Sequence, residues 1–221
     1  MGTRGAVYGL WVIAFVVPPE PGFEVTGNVG GGKYRVVGCA ETAPTYYNET
    51  SYAGSVRYRA ESGLTVAADG SRATESVREG PDGPRDGYSV AGRVGWHARY
   101  GGGEAGVGAF HHDGKTQAMP SATLWLGLPE IHAFGTLLAN RYAMNQGDFT
   151  VGIGHSGPWV NASVGAGVQG VVLDLEAKVA KWVAPTVSVR LQDRDNWNVA
   201  AGLTFRWDPE ASQRGGAIQA R

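Results

Sequence analysis

Apolar and polar residues alternate in the stretch 87–103, GYSVAGRVGWHARYGGG. One row consists of Tyr88, Val90, Gly92, Val94, Trp96, Ala98 and Tyr100, and the other of Ser89, Ala91, Arg93, Gly95, His97 and Arg99. Because successive side chains of a β-strand point to opposite faces, a period of two predicts a strand with one apolar and one polar face. The pattern leaves open which face lies inside. In a water-soluble protein the apolar face covers the core, whereas in a barrel that spans a membrane it meets lipid.

The same alternation recurs along most of the chain, and no segment after Pro21 is clearly helical. In 51–70, SYAGSVRYRAESGLTVAADG, it predicts one long strand, well beyond the usual length of about 5–6 residues. The stretch 22–41 forms either one strand or a hairpin folded at 30–32, and 171–180, VVLDLEAKVA, is predicted to be a strand. The runs predict about 10–12 strands, or about 8 if short segments merge, with one long polar loop at 68–87.

Composition excludes several functional classes. Only 18% of residues are charged, the formal net charge is −1 and there is no basic run, so no nucleic-acid partner is expected. The single cysteine, Cys39, excludes an intrachain disulfide. His111 and His112 would face opposite sides of a strand, so no metal site is predicted. The glycine-rich segments 101–108 and 165–170 are not followed by a helix, as a dinucleotide site requires, so no cofactor is expected.

The two ends of the chain differ from the alternating region. Near the N-terminus, Arg4 precedes 13 uncharged, mostly apolar residues, which end at three prolines close together. This run is too short to span a bilayer as a helix. It predicts an export signal in residues 1–21, with an apolar N-terminal segment as the alternative. Residues 22–207 are predicted to form a single β-barrel domain, and residues 208–221 a polar tail.

Aromatic residues at the ends of the apolar rows favour a membrane-spanning barrel. Tyr88 and Tyr100 would lie roughly 30 Å apart along the membrane normal at about 3.3 Å per residue and a tilt near 40°. Membrane-spanning β-barrels have an apolar band about 25 Å tall, flanked by aromatic girdles. The predicted lipid-facing girdle consists of Tyr52, Tyr88, Trp96, Tyr100, Trp197, Phe205 and Trp207.

The polar rows favour a narrow interior rather than a face in bulk water. They combine glycine, alanine and serine with arginines and a few carboxylates, a composition that suits arginine–carboxylate networks in a confined lumen. The residues predicted to line the lumen are Arg57, Arg59, Glu61, Arg93, His97, Arg99, Arg190 and Arg206.

The final predicted strand carries a more specific motif. Gly202-x-x-Phe205-x-Trp207 resembles the terminal signal strand of bacterial outer-membrane β-barrel proteins, although this chain continues for 14 residues beyond Trp207. The resemblance implies export, a closed antiparallel barrel in the outer membrane, and recognition by the outer-membrane assembly machinery. It also implies short periplasmic turns and longer outer loops.

The sequence therefore predicts an all-β chain that forms a closed antiparallel transmembrane β-barrel, with a structural or narrow passive-channel role and no enzymatic activity. Its expected partners are membrane lipid and the assembly machinery. Three alternatives stay open: a soluble exported β-barrel that binds an apolar ligand, with Val56, Tyr58, Val94 and Trp96 inside; a membrane-embedded lipid hydrolase built around His155 and Ser156; and an accessory subunit of a larger envelope complex.

Overall fold

The computed structural model describes residues 21–36, 43–81, 83–112, 114–128, 130–138, 148–167 and 170–207. These residues form twelve antiparallel strands in a closed barrel, in which each strand pairs with its neighbour in sequence and β1 pairs with β12. The predicted all-β closed barrel is confirmed, at the upper end of the predicted strand number. The described part of the chain contains no helix that could cross a membrane. The strands are β1 Gly22–Val36, β2 Thr45–Arg59, β3 Leu64–Glu79, β4 Arg85–Ala98, β5 Gly101–His112, β6 Lys115–Leu128, β7 Ile131–Leu138, β8 Asp148–Ser156, β9 Val160–Gly167, β10 Gly170–Ala177, β11 Val183–Asp193 and β12 Asn196–Trp207.

The two ends of the barrel are defined by the connections between strands. The start of β1, the end of β12 and the connections 60–63, 99–100, 129–130, 157–159 and 178–182 lie at one end, here called the terminal end. The other six connections lie at the opposite end, here called the loop end. Nearly all of the predicted export signal, residues 1–21, and the whole tail, 208–221, lie outside the described residues.

The predicted long strand at 51–70 is wrong, because the chain reverses at 60–63 between β2 and β3. Gly63 has a φ of +95°, a conformation that glycine adopts without steric cost. The turn has four residues, an even number, so Tyr58 before it and Leu64 after it both lie on the outer face. The apolar–polar alternation in the sequence therefore continues across the turn, and β2 and β3 have the pattern of a single strand.

Two further segments are corrected or resolved. The stretch 22–41 does not fold at its three glycines, since β1 runs through Gly30, Gly31 and Gly32 without interruption. The predicted loop at 68–87 is wrong, because β3 continues to Glu79 and β4 begins at Arg85. Within 171–180, residues 171–177 belong to a strand, β10, as predicted, and residues 178–180 lie in the connection that follows it.

The outer face of the barrel carries the apolar rows. Val56, Tyr58, Val94 and Trp96 are 50%, 37%, 56% and 54% exposed, which contradicts the soluble barrel that would turn them inward. The predicted girdle residues lie on this outer face. Near the terminal end, Phe23 stacks on Trp207 with ring centroids 5.4 Å apart. Tyr52, Tyr88 and Trp197 lie toward the loop end, so aromatic side chains border the apolar band on both sides.

The wall of the barrel is taller on one side. Strands β1 to β4 have 14 to 16 residues, whereas β7 to β10 have 8 or 9. Beyond Tyr52 and Tyr88 the outward residues of β2 and β3 are polar, among them Asn48 and Ser76, which pair across the two strands. These strands therefore extend past the apolar band at the loop end.

Candidate functional site

A layer of charged side chains crosses the lumen near the terminal end. We call it the charged layer, and it consists of Glu24, Arg57, Arg59, Asp69, Arg93, Glu104, Glu176 and Arg206. Strand alternation turns each of these side chains inward, and the register brings them to one height. Glu24 is directly opposite Arg57 on one side and Arg206 on the other, at 3.1 Å and 2.9 Å.

The Glu104 carboxylate contacts three side chains on one side of the charged layer. Its carboxylate lies 3.3 Å from Arg57 Nε, 3.2 Å from Arg93 Nη1 and 3.2 Å from His97 Nε2. Arg57 on β2 and Glu104 on β5 are on strands that are not neighbours, so this ion pair crosses the interior of the closed barrel. Arg93 also donates two parallel hydrogen bonds of 2.7 Å to Asp69, a bidentate geometry that fixes its planar head group.

The network continues along the other side of the layer. Arg206 Nη2 donates to Glu176 Oε2 at 2.6 Å, and this contact between β12 and β10 passes over β11. Glu176 also accepts a hydrogen bond of 2.5 Å from Asn161 Nδ2, and Asn161 Oδ1 accepts one of 2.9 Å from Ser156. Polar contacts therefore run without a break from Ser156 on β8, through Glu24, to Glu104 on β5.

His97 connects the layer to an inward tryptophan. Trp125 Nε1 donates to His97 Nδ1 at 2.8 Å. An indole N–H is only a donor, so Nδ1 is the acceptor and the ring hydrogen lies on Nε2, which faces Glu104. The orientation of His97 is thus set from both sides. Trp125 in turn meets His132 edge-on, with centroids 5.9 Å apart.

The charged layer is confined and electrically balanced. The carboxylates and guanidiniums that form these ion pairs have side chains that are only 1% to 21% exposed. At the rim, Arg59 donates to the backbone oxygen of His97 at 3.2 Å. The layer so defined has four guanidiniums (Arg57, Arg59, Arg93, Arg206) and four carboxylates (Glu24, Asp69, Glu104, Glu176), a net formal charge of zero.

Between the charged layer and the loop end the inward side chains are mostly small. Ser71 and Ser89 share a hydrogen bond of 2.7 Å, and Thr26 and Thr204 share one of 3.0 Å. Bulkier groups return at the loop end, where Tyr34 stacks on Tyr47 with centroids 5.0 Å apart. The lumen is therefore mainly polar, with further buried carboxylates such as Glu49 and Asp174 outside the charged layer, and with an apolar contact between the inward side chains of Trp125 and Phe134.

Six of the eight residues that the sequence predicted to line the lumen face inward in the structure, and two do not. Arg57, Arg59, Arg93, His97 and Arg206 meet in or against the charged layer, and Arg190 faces inward on β11 nearer the loop end. The prediction is wrong for Glu61 and Arg99. Both are exposed in turns at the terminal end, and Arg99 lies over the Tyr100 ring at 5.1 Å. The alternation of inward and outward side chains holds only within a strand, and it does not extend to residues in the turns.

The predicted lumen residues did not include Glu104 and Glu176 of the charged layer, and three further residues were also missed. Glu24 and Trp125 lie on inward rows of β1 and β6, and Trp125 follows directly from its position between the outward residues Leu124 and Leu126. Asp69 had been assigned to a loop. The period-two rule alone would have placed all three inside once the strand limits were known.

No histidine–serine pair exists at the position considered for a lipid hydrolase. His155 is exposed on the outer face, with Nδ1 2.6 Å from the Glu130 backbone oxygen, while Ser156 points inward to Asn161. A nucleophile and its base must be within hydrogen-bond reach, so these two residues do not form such a pair. Within the described ranges there is also no group of three or more His, Cys, Asp or Glu residues suited to a metal ion.

Comparisons with known proteins identify the architecture. No family model matches the sequence, and no curated protein is significantly similar to it. The translocator domain of the autotransporter NalP from Neisseria meningitidis is 13% identical, with a TM-score of 0.56, covering 86% of this chain and 90% of that domain. The KdgM porin, solved in complex with disordered oligogalacturonate, is 10% identical, with a TM-score of 0.51, covering 83% of this chain and 99% of the porin. This chain has the fold of bacterial outer-membrane β-barrels. The resemblance carried by the terminal strand is thereby confirmed, and the outer face has the apolar band expected of such a barrel.

Proposed function

We propose that this outer-membrane barrel is a narrow passive channel whose bore is limited by the charged layer. Support comes from the reversal of the usual distribution of side chains: the outer face is apolar and the lumen is polar. A barrel that served only as a wall could fill its interior with apolar side chains, whereas a polar interior is the property that lets water and polar solutes enter.

The strand number supports a channel of small diameter. About eight strands leave an interior that side chains fill, and about 16 to 18 strands leave a wide aqueous channel. A barrel of twelve strands lies between these two cases. Small inward residues toward the loop end, such as Ser71 and Ser89, leave space inside the barrel, and the long side chains of the charged layer reduce the width of that space.

The observation that carries the proposal is that ion pairs join strands which are not neighbours. Arg57 reaches Glu104 from β2 to β5, and Arg206 reaches Glu176 from β12 to β10. Such contacts cut across the lumen rather than follow its wall. Removing them should widen the channel without disturbing the backbone pairing of adjacent strands.

Conductance in a planar lipid bilayer tests the proposal. We expect the refolded wild-type barrel to give small unitary currents and the double variant Arg57→Ala/Glu104→Ala to give currents several times larger. The matched control is Arg72→Ala/Asp86→Ala, which removes an ion pair of 2.9 Å whose members are 67% and 57% exposed on the outer face. Its currents should equal those of the wild type. If neither the wild type nor the lumen variant conducts above bare lipid, the barrel has a structural role instead.

We also propose that the outer-membrane assembly machinery recognises β12. The motif at 202–207 lies on the strand that closes the barrel, and its aromatic residues Phe205 and Trp207 are 40% and 49% exposed on the outer face. Side chains at this position are available to a partner before they meet lipid. The test by substitution of Trp207 is given in the Discussion.

A further inference from the structure

We propose that the charged layer makes the channel selective for small uncharged polar solutes over ions of either sign. This inference rests on the proposed channel function and names its substrate class. It follows from the balance of charges in the layer and from the carboxylate partners that three of its four arginines already have.

Three of the arginines have two carboxylate partners each. Arg57 contacts Glu24 and Glu104, Arg93 contacts Asp69 and Glu104, and Arg206 contacts Glu24 and Glu176. A lumen lined by one sign of charge concentrates counter-ions. Here positive and negative groups alternate within hydrogen-bond distance, so the layer offers no net attraction to either ion.

An ion that enters the layer must also lose water in a confined space. To replace that hydration it would have to separate an existing ion pair, which leaves the opposite charge buried and uncompensated. A chloride ion would compete with Glu104 for Arg93, and a potassium ion would compete with Arg206 for Glu24. Both exchanges are unfavourable, so the barrier applies to both signs.

A neutral solute with hydroxyl groups does not meet this barrier. Guanidinium N–H groups donate hydrogen bonds and carboxylate oxygens accept additional ones, and the two alternate around the lumen. A small polyol or sugar can therefore exchange its bonds to water for bonds to the layer while the ion pairs stay intact.

The proposal predicts what happens when the balance is broken. Glu24→Gln removes the carboxylate shared by Arg57 and Arg206 and leaves one net positive charge, so the channel should become anion-selective. Arg93→Gln leaves one net negative charge and should make it cation-selective. The anion-to-cation permeability ratio should change about tenfold in each direction, because one uncompensated charge roughly 12 Å from a passing ion is worth about 1.4 kcal/mol at an effective dielectric constant near 20.

Two measurements on the full-length barrel in lipid test the inference: the reversal potential in a potassium chloride gradient, and the swelling rate of proteoliposomes in arabinose. The matched control is Asp86→Asn, which makes the same change in charge as Glu24→Gln but on the outer face, where Asp86 is 57% exposed. Each variant is first shown to be folded by its heat-dependent migration in gels.

We expect the wild type and the Asp86→Asn control to have reversal potentials near zero and to swell rapidly in arabinose, and the two lumen variants to shift in opposite directions. A wild-type channel with strong preference for one ion, or lumen variants that behave like Asp86→Asn, would overturn the selectivity proposal while the channel function stands. If neither arabinose nor ions pass through any variant, it is the channel function itself that fails.

Discussion

The stability of a variant with arginine in place of Val94 tests whether lipid surrounds the apolar face of the barrel. Val94 is 56% exposed on β4 and lies six residues from Tyr88 and six from Tyr100. Six residues correspond to about 20 Å along the strand and, at a tilt near 40°, to about 15 Å along the membrane normal. That distance is half of the roughly 30 Å thickness of the hydrocarbon core, so Val94 lies at the midplane of the bilayer.

The position determines the expected cost of Val94→Arg. An arginine on the lipid face at the midplane destabilises a transmembrane barrel by about 2–4 kcal/mol. The same substitution on a surface in water changes stability by no more than about 0.5 kcal/mol. The free energy of unfolding is measured by urea titration of the barrel in phospholipid vesicles, followed by tryptophan fluorescence under conditions where unfolding is reversible.

Ser76→Arg provides the control for this experiment. Ser76 faces outward on β3, four residues beyond Arg72, which is paired with Tyr88 of the girdle. It therefore lies outside the apolar band, and an arginine there should cost less than about 1 kcal/mol. Equal stabilities of Val94→Arg and Ser76→Arg would show that both positions meet water, and the transmembrane assignment would then be refuted.

Three further predictions concern the lumen, the wall and assembly. Glu104→Gln removes a buried charge that contacts two arginines, each of which keeps another carboxylate, so we expect a loss of roughly 2–3 kcal/mol in urea unfolding. Gly202→Ala should destabilise by about 1–3 kcal/mol, because a Cβ there would lie 2.2 Å from the Gly27 backbone oxygen. Trp207→Ala should lower the amount of folded barrel in the outer membrane severalfold while refolding in detergent stays close to wild type.

Each of these predictions has its own control. For Glu104→Gln it is Asp86→Asn, an exposed carboxylate whose loss should cost less than about 1 kcal/mol; equal costs would mean that the layer does not stabilise the fold. For Gly202→Ala it is Gly27→Ala, where a Cβ meets nothing within 4 Å and stability should not fall. For Trp207→Ala, an equal loss in cells and in detergent would indicate a folding defect and rule out recognition of the strand.

Which side chains point inward and which point outward was predictable, because this depends only on local chain geometry. The row that contains Val94 and Trp96 is outward in the structure, and Arg93 and His97 are inward, as the period of two requires. The choice between lipid and a protein core on the apolar side rested on the aromatic residues at the ends of the rows, Tyr88 and Tyr100. In the structure Tyr88 lies on the outer face of β4, and Tyr100 is exposed in the turn that follows the strand.

Strand limits were less predictable, for two separate physical reasons. The turn at 60–63 leaves the alternation in phase, so no break in the pattern marked the end of β2, and Glu61 was placed in the lumen. In β3 the outward residues beyond Arg72 lie past the apolar band, where they meet water. Because the outward residues of that part of the strand are polar, the apolar–polar alternation that would identify it is absent, and the predicted loop at 68–87 covers it.

The contacts of the charged layer could not be derived from sequence patterns. They depend on the register of every strand pair around the barrel, because Arg57 and Glu104 meet only if the three pairings from β2 to β5 bring them to the same height. A shift by two residues in one pairing would keep every side chain on its proper face and still separate them. Alternation determines the face of a side chain but not its height.

The charged layer also bears on how the barrel closes in one register. Backbone hydrogen bonds between β1 and β12 would form equally well after a shift by two residues. Glu24 prevents that degeneracy, since it binds Arg57 on one flanking strand and Arg206 on the other, and a shift by two would separate it from Arg206. A shift by one would turn Arg206 toward lipid. The carboxylate at the junction of the first and last strands therefore specifies the closure, and the residues that narrow the lumen are the same ones that fix the register of the wall.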